Sequence, residues 1–291
     1  MTSATPPAAA RAVTPMLRTR GLTKEFSGFR AVSEVDLSVA PGTVHALVGP
    51  NGAGKTTLFN LLTGFLQPTS GTIAIDGRDV TGMRPERIAQ RGVARSFQIT
   101  SLFEELSLAQ HVELALLGRD GQGFQFWRSE KRLRRYRAET DELLEQVGLA
   151  GRAETPAGSL GYGQKRALEL ALALALSPRL LLLDEPTAGM GVEDVSRTID
   201  LIRRVREDRT VVLVEHNMKV VGDLTDRVTV LQFGKVLAEG PYEQVRDDPA
   251  VITAYLGESV SESEGASAVW TEERAQARGT SAEHATREDG G

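Results

Sequence analysis

The chain has 291 residues, of which 41% are hydrophobic, 25% charged and 5% aromatic, the balance of a globular protein with enough apolar material for a sizeable core. It has no cysteine, which excludes disulfides, thiolate-held zinc and thiol catalysis, and its four scattered histidines do not make a histidine-rich metal site. The net charge of −5 comes from the end of the chain: from Glu258 onward eight acids face three bases, whereas residues 1–257 balance at 31 against 31, so no basic field points to nucleic acid.

The N-terminal MTSATPPAAARAVTPM has no apolar core and does not read as a secretory signal. Residues 1–15 read as a disordered arm and residues 258–291 as a flexible acidic tail. Between them lies one expected folded unit, residues 16–257. Leu17–Leu22 and Ala31–Val39 alternate apolar and polar residues, as half-buried antiparallel strands do. Val44–Val48 reads as a short buried strand, followed by a glycine-rich turn, a helix over Thr56–Thr63 and a strand over Gly71–Asp76. Residues 84–150 read as helical, with segments at Pro85–Arg91, Leu108–Leu117 and a charged stretch running to Val147. Alternation then returns: helix Gln164–Leu176, strand Leu180–Leu183, helix Val192–Arg206, strand Thr210–Val214, helix Met218–Leu224 and strand Arg227–Leu231. Such alternation predicts an α/β fold with a mainly parallel sheet covered on both faces, interrupted by a helical lobe over about residues 99–177. The apolar stretch around Ala167–Leu183 is broken by Glu169 and by Ser177-Pro178-Arg179, and neither half reaches the roughly 20 residues that span a bilayer.

Gly49-Pro50-Asn51-Gly52-Ala53-Gly54-Lys55-Thr56 follows a predicted strand and opens a predicted helix, with Thr57 next. This is the pattern and the context of a phosphate-binding loop. Its glycines allow the backbone to turn N–H groups around phosphate oxygens, and the helix start adds a positive dipole end. Lys55 supplies charge for the β- and γ-phosphates, and the Thr56 hydroxyl is a ligand for Mg²⁺. The leucine run Leu180–Leu183 ends in Asp184 and Glu185, which places both acids at the carboxyl edge of the sheet, where open α/β folds bind ligands. Asp184 would hold Mg²⁺ and Glu185 would orient and polarise the attacking water; the plain alternative is a pair of acids capping a strand end. His216, after a further strand, is placed for a γ-phosphate contact, although a lone histidine is more often structural. Gln98 could bridge Mg²⁺ and that water, or be an ordinary polar residue.

These residues together resemble the ATP-binding cassette family, over roughly residues 17–257. The resemblance makes Gly49–Thr56 the Walker A loop, Leu180–Asp184 Walker B, Glu185 the catalytic acid, His216 the switch histidine and Gln98 the glutamine of the Q-loop. Leu160-Gly161-Tyr162-Gly163-Gln164 falls at the family's signature, where Gly161, Gly163 and Gln164 would meet nucleotide bound to a second cassette. Phe26 falls where the family stacks an aromatic on adenine; it could equally be a strand aromatic of the core. Two departures stand out. The usual L-S-G-G-Q reads L-G-Y-G-Q, so Gly161 replaces a hydroxyl, and Gly191 replaces the expected D-loop aspartate.

Ala188-Gly189-Met190, Val214-Glu215-His216-Asn217-Met218 and the ending Asp248–Gly257 are most similar to the ATPase subunits of branched-chain amino acid importers, with urea and short-amide importers similar in the same places. The resemblance implies ATP and Mg²⁺ as cofactors. It implies a second cassette and membrane permease subunits as partners, a periplasmic or surface solute-binding protein acting indirectly, and a peripheral position on the cytoplasmic face of the inner membrane. Phe97, Ile99, Leu102 and Phe103 would receive the permease, or form lobe core. Arg128–Arg137 holds six bases and one acid after Phe124, Phe126 and Trp127, and reads as a headgroup-binding helix or as a solvated face. A soluble cassette protein acting on ribosomes or DNA, and a small-molecule kinase, remain the readings from other classes.

Overall fold

The computed structural model describes residues 14–96, 102–121 and 130–256, the side chains of 130–135 and 256 excepted. In chain order, strands β1 (Leu17–Phe26), β2 (Phe29–Val39) and β3 (Val44–Val48) lead into helix α1 (Lys55–Leu62). Then come β4 (Ser70–Ile75), β5 (Arg78–Asp79), α2 (Pro85–Ala89) and β6 (Val93–Arg95). Helices α3 (Leu108–Arg119), α4 (Glu130–Gln146) and α5 (Tyr162–Ala175) follow. The chain closes with β7 (Leu180–Asp184), α6 (Val192–Val205), β8 (Thr210–Val214), α7 (Met218–Leu224), β9 (Arg227–Gln232), β10 (Lys235–Gly240), α8 (Tyr242–Arg246) and α9 (Pro249–Leu256).

Two sheets result. One is antiparallel, in the order β2-β1-β4-β5; the other runs β10-β9-β3-β8-β7-β6 and is parallel except for β10. This is the expected α/β architecture, and side-chain alternation explains its layering. Leu47, Leu180, Leu182, Val212 and Val214 point to one face, where they pack with Leu58, Phe59, Leu61 and Leu62 of α1 and with Leu17, Leu22 and Leu37 of the antiparallel sheet. Ala46, Val48, Leu181, Leu183, Val211 and Leu213 point to the other, against Leu168 and Ala171 of α5, Ile202 of α6 and Val220 of α7. Strands buried on both faces must read as unbroken apolar runs, as β7 and β8 do. Among the described residues, no helix is long and apolar enough to cross a membrane.

The helical lobe is α3, α4 and α5, joined where the Arg119 guanidinium binds Glu139 on α4 and the carbonyl of Ala175 at the end of α5. Ser107 caps α3: its hydroxyl accepts from Gln110 N at 3.2 Å while Gln110 Oε1 accepts from Ser107 N at 2.8 Å. The expected helical block from residue 84 needs correction at its start. Ile88 of α2 packs with α1 and the antiparallel sheet, and β6 lies inside the block. Three residues between Gly92 and Ser96 carry no readable period; β6 is a strand because β7 pairs with it, Arg95 opposite Leu182. β10 also escaped the sequence reading, because its half-exposed KVLAEG lacks alternation.

Candidate functional site

Sheet register gathers the site. Leu47 on β3 and Asp184 on β7 both stand opposite Val214 on β8, so the three form one row across the carboxyl edge. Two strand spacings separate the outer members, on the order of 10 Å. The phosphate loop leaves one end of this row, Glu185 leaves the other, and His216 follows the middle strand.

The loop is built to the backbone. Gly49, Gly52 and Gly54 have φ of +145°, +72° and +100°, a region that side-chain-bearing residues rarely adopt. A Cβ on Gly49 would lie 2.1 Å from the carbonyl oxygen of Leu231, and one on Gly54 2.3 Å from that of Ala31. Only glycine lets the loop press this closely on β9 and β2. Pro50 and Ala53 are buried beneath it, and Asn51, Gly52 and Thr56 face outward, with Thr57 half-buried. Lys55 Nζ donates to the carbonyls of Gly49 at 2.5 Å and Pro50 at 2.8 Å, which holds its charge over the loop. Phe26 ends β1 opposite Phe29, beside the start of β2 that abuts the loop; it is 42% exposed, with Lys24 Nζ 4.9 Å from its ring centre.

Asp184 is 1% exposed. Its Oδ2 accepts from Arg95 Nη2 at 2.6 Å, while Arg95 Nη1 donates to Asn60 Oδ1 of α1 at 2.6 Å. The guanidinium thus answers the buried charge and ties β7 to the helix that carries Lys55 and Thr56. Glu185 has φ of +47°, and its Oε1 lies 3.9 Å from His216 Nδ1. Arg95 and the acid before the histidine, Glu215, were missed by sequence reasoning. Arg95 sits on the strand that had no signal, whereas Glu215 could have been suspected as a carboxylate continuing a fully apolar strand.

The donors fit the groups expected of them. Glycine positions closed to any Cβ leave the loop backbone as the binding surface, and Thr56 and Asp184 offer the hard oxygens that Mg²⁺ takes. Among the described residues, no group of three or more His, Asp or Glu converges to hold a metal without such help from phosphate.

Gly161 stands at the head of α5, where Gln164 Oε1 accepts from Gly161 N at 3.4 Å and from Arg152 Nη1 at 2.9 Å. A Cβ on Gly163 would come within 2.9 Å of the Asp194 carboxylate in the first turn of α6, and the Tyr162 ring lies beside Gly189. Gly191 opens α6 with open space around it. Leu102 is half-buried and Phe103 is 65% exposed, held by His111, whose Nε2 accepts from Phe103 N at 3.0 Å. Gln98, Phe97, Ile99, Phe124, Phe126, Trp127, the first residues and side chains of the basic patch, the arm at 1–13 and the tail at 257–291 lie outside the described residues.

Residues 32–188 match the sequence profile of the ABC transporter family, and residues 235–261 that of branched-chain amino acid ATP-binding cassette transporters. The chain is 42% identical over 255 residues to BraF, a high-affinity branched-chain amino acid transport ATP-binding protein of Pseudomonas aeruginosa, covering 84% of this chain and 99% of that one. LivG of Escherichia coli K12, of the same description, is 39% identical over 252 residues with the same coverage. The crystal structure of the ADP conformation of MJ1267, an ATP-binding cassette of an ABC transporter, superposes with a TM-score of 0.75 at 28% identity, covering 84% of this chain and 99% of that one.

Proposed function

Because this chain belongs to the ABC transporter family, in the branch of the branched-chain amino acid transport ATP-binding proteins, we propose that it binds and hydrolyses ATP to drive uptake of branched-chain amino acids through a membrane permease. The observation that carries the reading is the shared row of Leu47, Val214 and Asp184, which brings the lysine loop, both acids and His216 to one edge. There Lys55 and the loop amides hold the phosphates, and Glu185 accepts the proton of the attacking water. His216 and Gln98 contact the γ-phosphate and the water. Thr56, Asp184 and Gln98 would hold Mg²⁺, which when bound neutralises charge on the phosphate oxygens.

Gly161, Gly163 and Gln164 serve the nucleotide of a second cassette, so the working unit is a head-to-tail pair. ATP closes it because the signature region of the second cassette reaches the γ-phosphate only in the closed state, which ATP therefore binds more tightly. Leu102 and the exposed Phe103 receive the permease, which places the chain at the cytoplasmic face of the membrane, fed by a solute-binding protein on the other side.

The test is the full chain reconstituted with its permease in proteoliposomes, measuring ATP turnover and labelled leucine uptake. Glu185→Gln is expected to bind ATP normally and to lose turnover by about 10²–10⁴-fold, the worth of a general base. Lys55→Ala is expected to weaken ATP binding by at least roughly tenfold, the equivalent of about 1.4 kcal/mol. Turnover at the wild-type rate in Glu185→Gln would mean that another group acts as the base.

A further inference from the structure

We propose that Glu215 is a positioning residue whose carboxylate clamps the loop after β7 to the loop after β8 and thereby sets Glu185 against His216. The proposal rests on the ATPase reading above. Glu215 has no solvent exposure. Its Oε1 accepts from Thr187 N at 3.0 Å and from Thr187 Oγ1 at 2.6 Å. Its Oε2 accepts from His216 N at 3.2 Å and from Asn217 N at 3.3 Å. An ionised carboxylate has about four acceptor sites, and here all four are used, two by each loop. A buried charge is tolerated when hydrogen bonds satisfy it so fully.

The division between the oxygens gives the clamp its function. Glu185 adopts a left-handed backbone, φ +47°, that a side-chain-bearing residue holds only when its surroundings over-determine it. On one side Glu185 N donates to the carbonyl of Val214 at 2.9 Å. On the other, Thr187, two residues on, is fastened to Glu215. The strained residue is thus bracketed by two consecutive residues of the neighbouring strand end. Glu185 Oε1 and His216 Nδ1 stand 3.9 Å apart, beyond hydrogen-bond reach, so a mutual hydrogen bond does not fix their separation and the placing of the two loops contributes to it. A glutamine at 215 keeps the shape but turns one oxygen into an NH₂ group. It then meets N–H donors with a donor and can hold only one loop.

The experiment takes the full chain as wild type, Glu215→Gln, Thr187→Val and Thr187→Ser. It measures amide hydrogen exchange without nucleotide, ATP affinity, and kcat with permease. In Glu215→Gln, exchange at Thr187, His216 and Asn217 is expected to rise by roughly tenfold, the equivalent of one lost hydrogen bond, while β7 and β8 keep their protection. Its kcat should fall by about 10²-fold, as a misplacement on the order of 1 Å does, with ATP affinity within about threefold of wild type. Thr187→Val, which loses only the hydroxyl, should show the same split to a smaller degree, and Thr187→Ser a smaller one still.

Unchanged exchange at the three amides, or wild-type kcat in Glu215→Gln, overturns the clamp. So does a general loss of protection in which affinity and kcat fall together, since that is merely structural destabilisation. If Glu215→Gln does not fold, Thr187→Val decides by the same criteria. A wild-type chain that fails to hydrolyse ATP with its permease refutes the ATPase reading, while the exchange measurement still judges the clamp.

Discussion

Individual residues at this sheet edge show how burial assigns roles. Asp184 and Glu215 are both buried acids, but their charges are answered differently. Asp184 faces the guanidinium of Arg95, whereas Glu215 is met by four N–H and O–H donors. A third buried polar residue, His45, stands in the middle of β3. Its Nε2 lies 2.7 Å from Thr229 Oγ1, which itself donates to Glu239 at 3.2 Å, so Nε2 is the donor of that pair. Burial lowers the His45 pKa from 6.5 to about 4, with Glu239 opposing the shift and Arg227 adding to it. The unfolded chain therefore takes up a proton between these two values and the folded chain does not. The contribution of His45 to stability is complete above pH 6.5 and is lost as the pH falls through about 4, on the order of 3 kcal/mol in all. Urea midpoints across this window should fall less steeply for His45→Gln, which keeps a donor toward Thr229 but cannot titrate. Parallel slopes would refute the assignment.

At the scale of an element, α5 carries the departure at Gly161. This residue is the N-cap of the helix, with φ −66° and ψ 165°, the extended backbone that capping serines use. A Cβ there meets nothing within 4 Å, and Gln164 already accepts from the Gly161 amide. Gly161→Ser would complete a reciprocal cap and stabilise the helix by a few tenths of a kcal/mol, about the difference between glycine and serine caps. It would also return a hydroxyl to the face proposed above to meet the second cassette. The expected result is a slightly higher Tm and a tighter ATP-bound pair, by up to about tenfold for one hydrogen bond to a charged group. Gly163 is a different case, since a Cβ there would meet the tip of the Asp194 side chain, which would have to swing aside.

For the whole molecule, the two sheets share α1 as their common layer, so the phosphate loop at its head is pressed by β2 on one side and β9 on the other. A loop hemmed in by two neighbouring strands suits the proposed pairing with a second cassette better than a closure by its own deformation. Light scattering of the Glu185→Gln chain with ATP and Mg²⁺ is expected to show a doubling of the 31.4 kDa mass that disappears without nucleotide. A chain that pairs only with a companion cassette stays at its single mass until that companion is added. A single mass under every condition would contradict the head-to-tail unit.

The amino-acid sequence alone determined the phosphate loop, the leucine strand with its two acids, the histidine after the next strand and the α/β alternation. Each is written locally, as a glycine spacing or an apolar run of a set length. The roles of those residues remain the proposal made above. Tertiary structure alone decided that β6 is a strand, because three residues become one only when β7 offers its edge. It likewise decided that Arg95 answers Asp184 and that Glu215 holds Thr187, partners 89 and 28 residues apart in the chain. A buried charge chooses its partner by what the fold places within 3 Å, and no local pattern of residues records that choice.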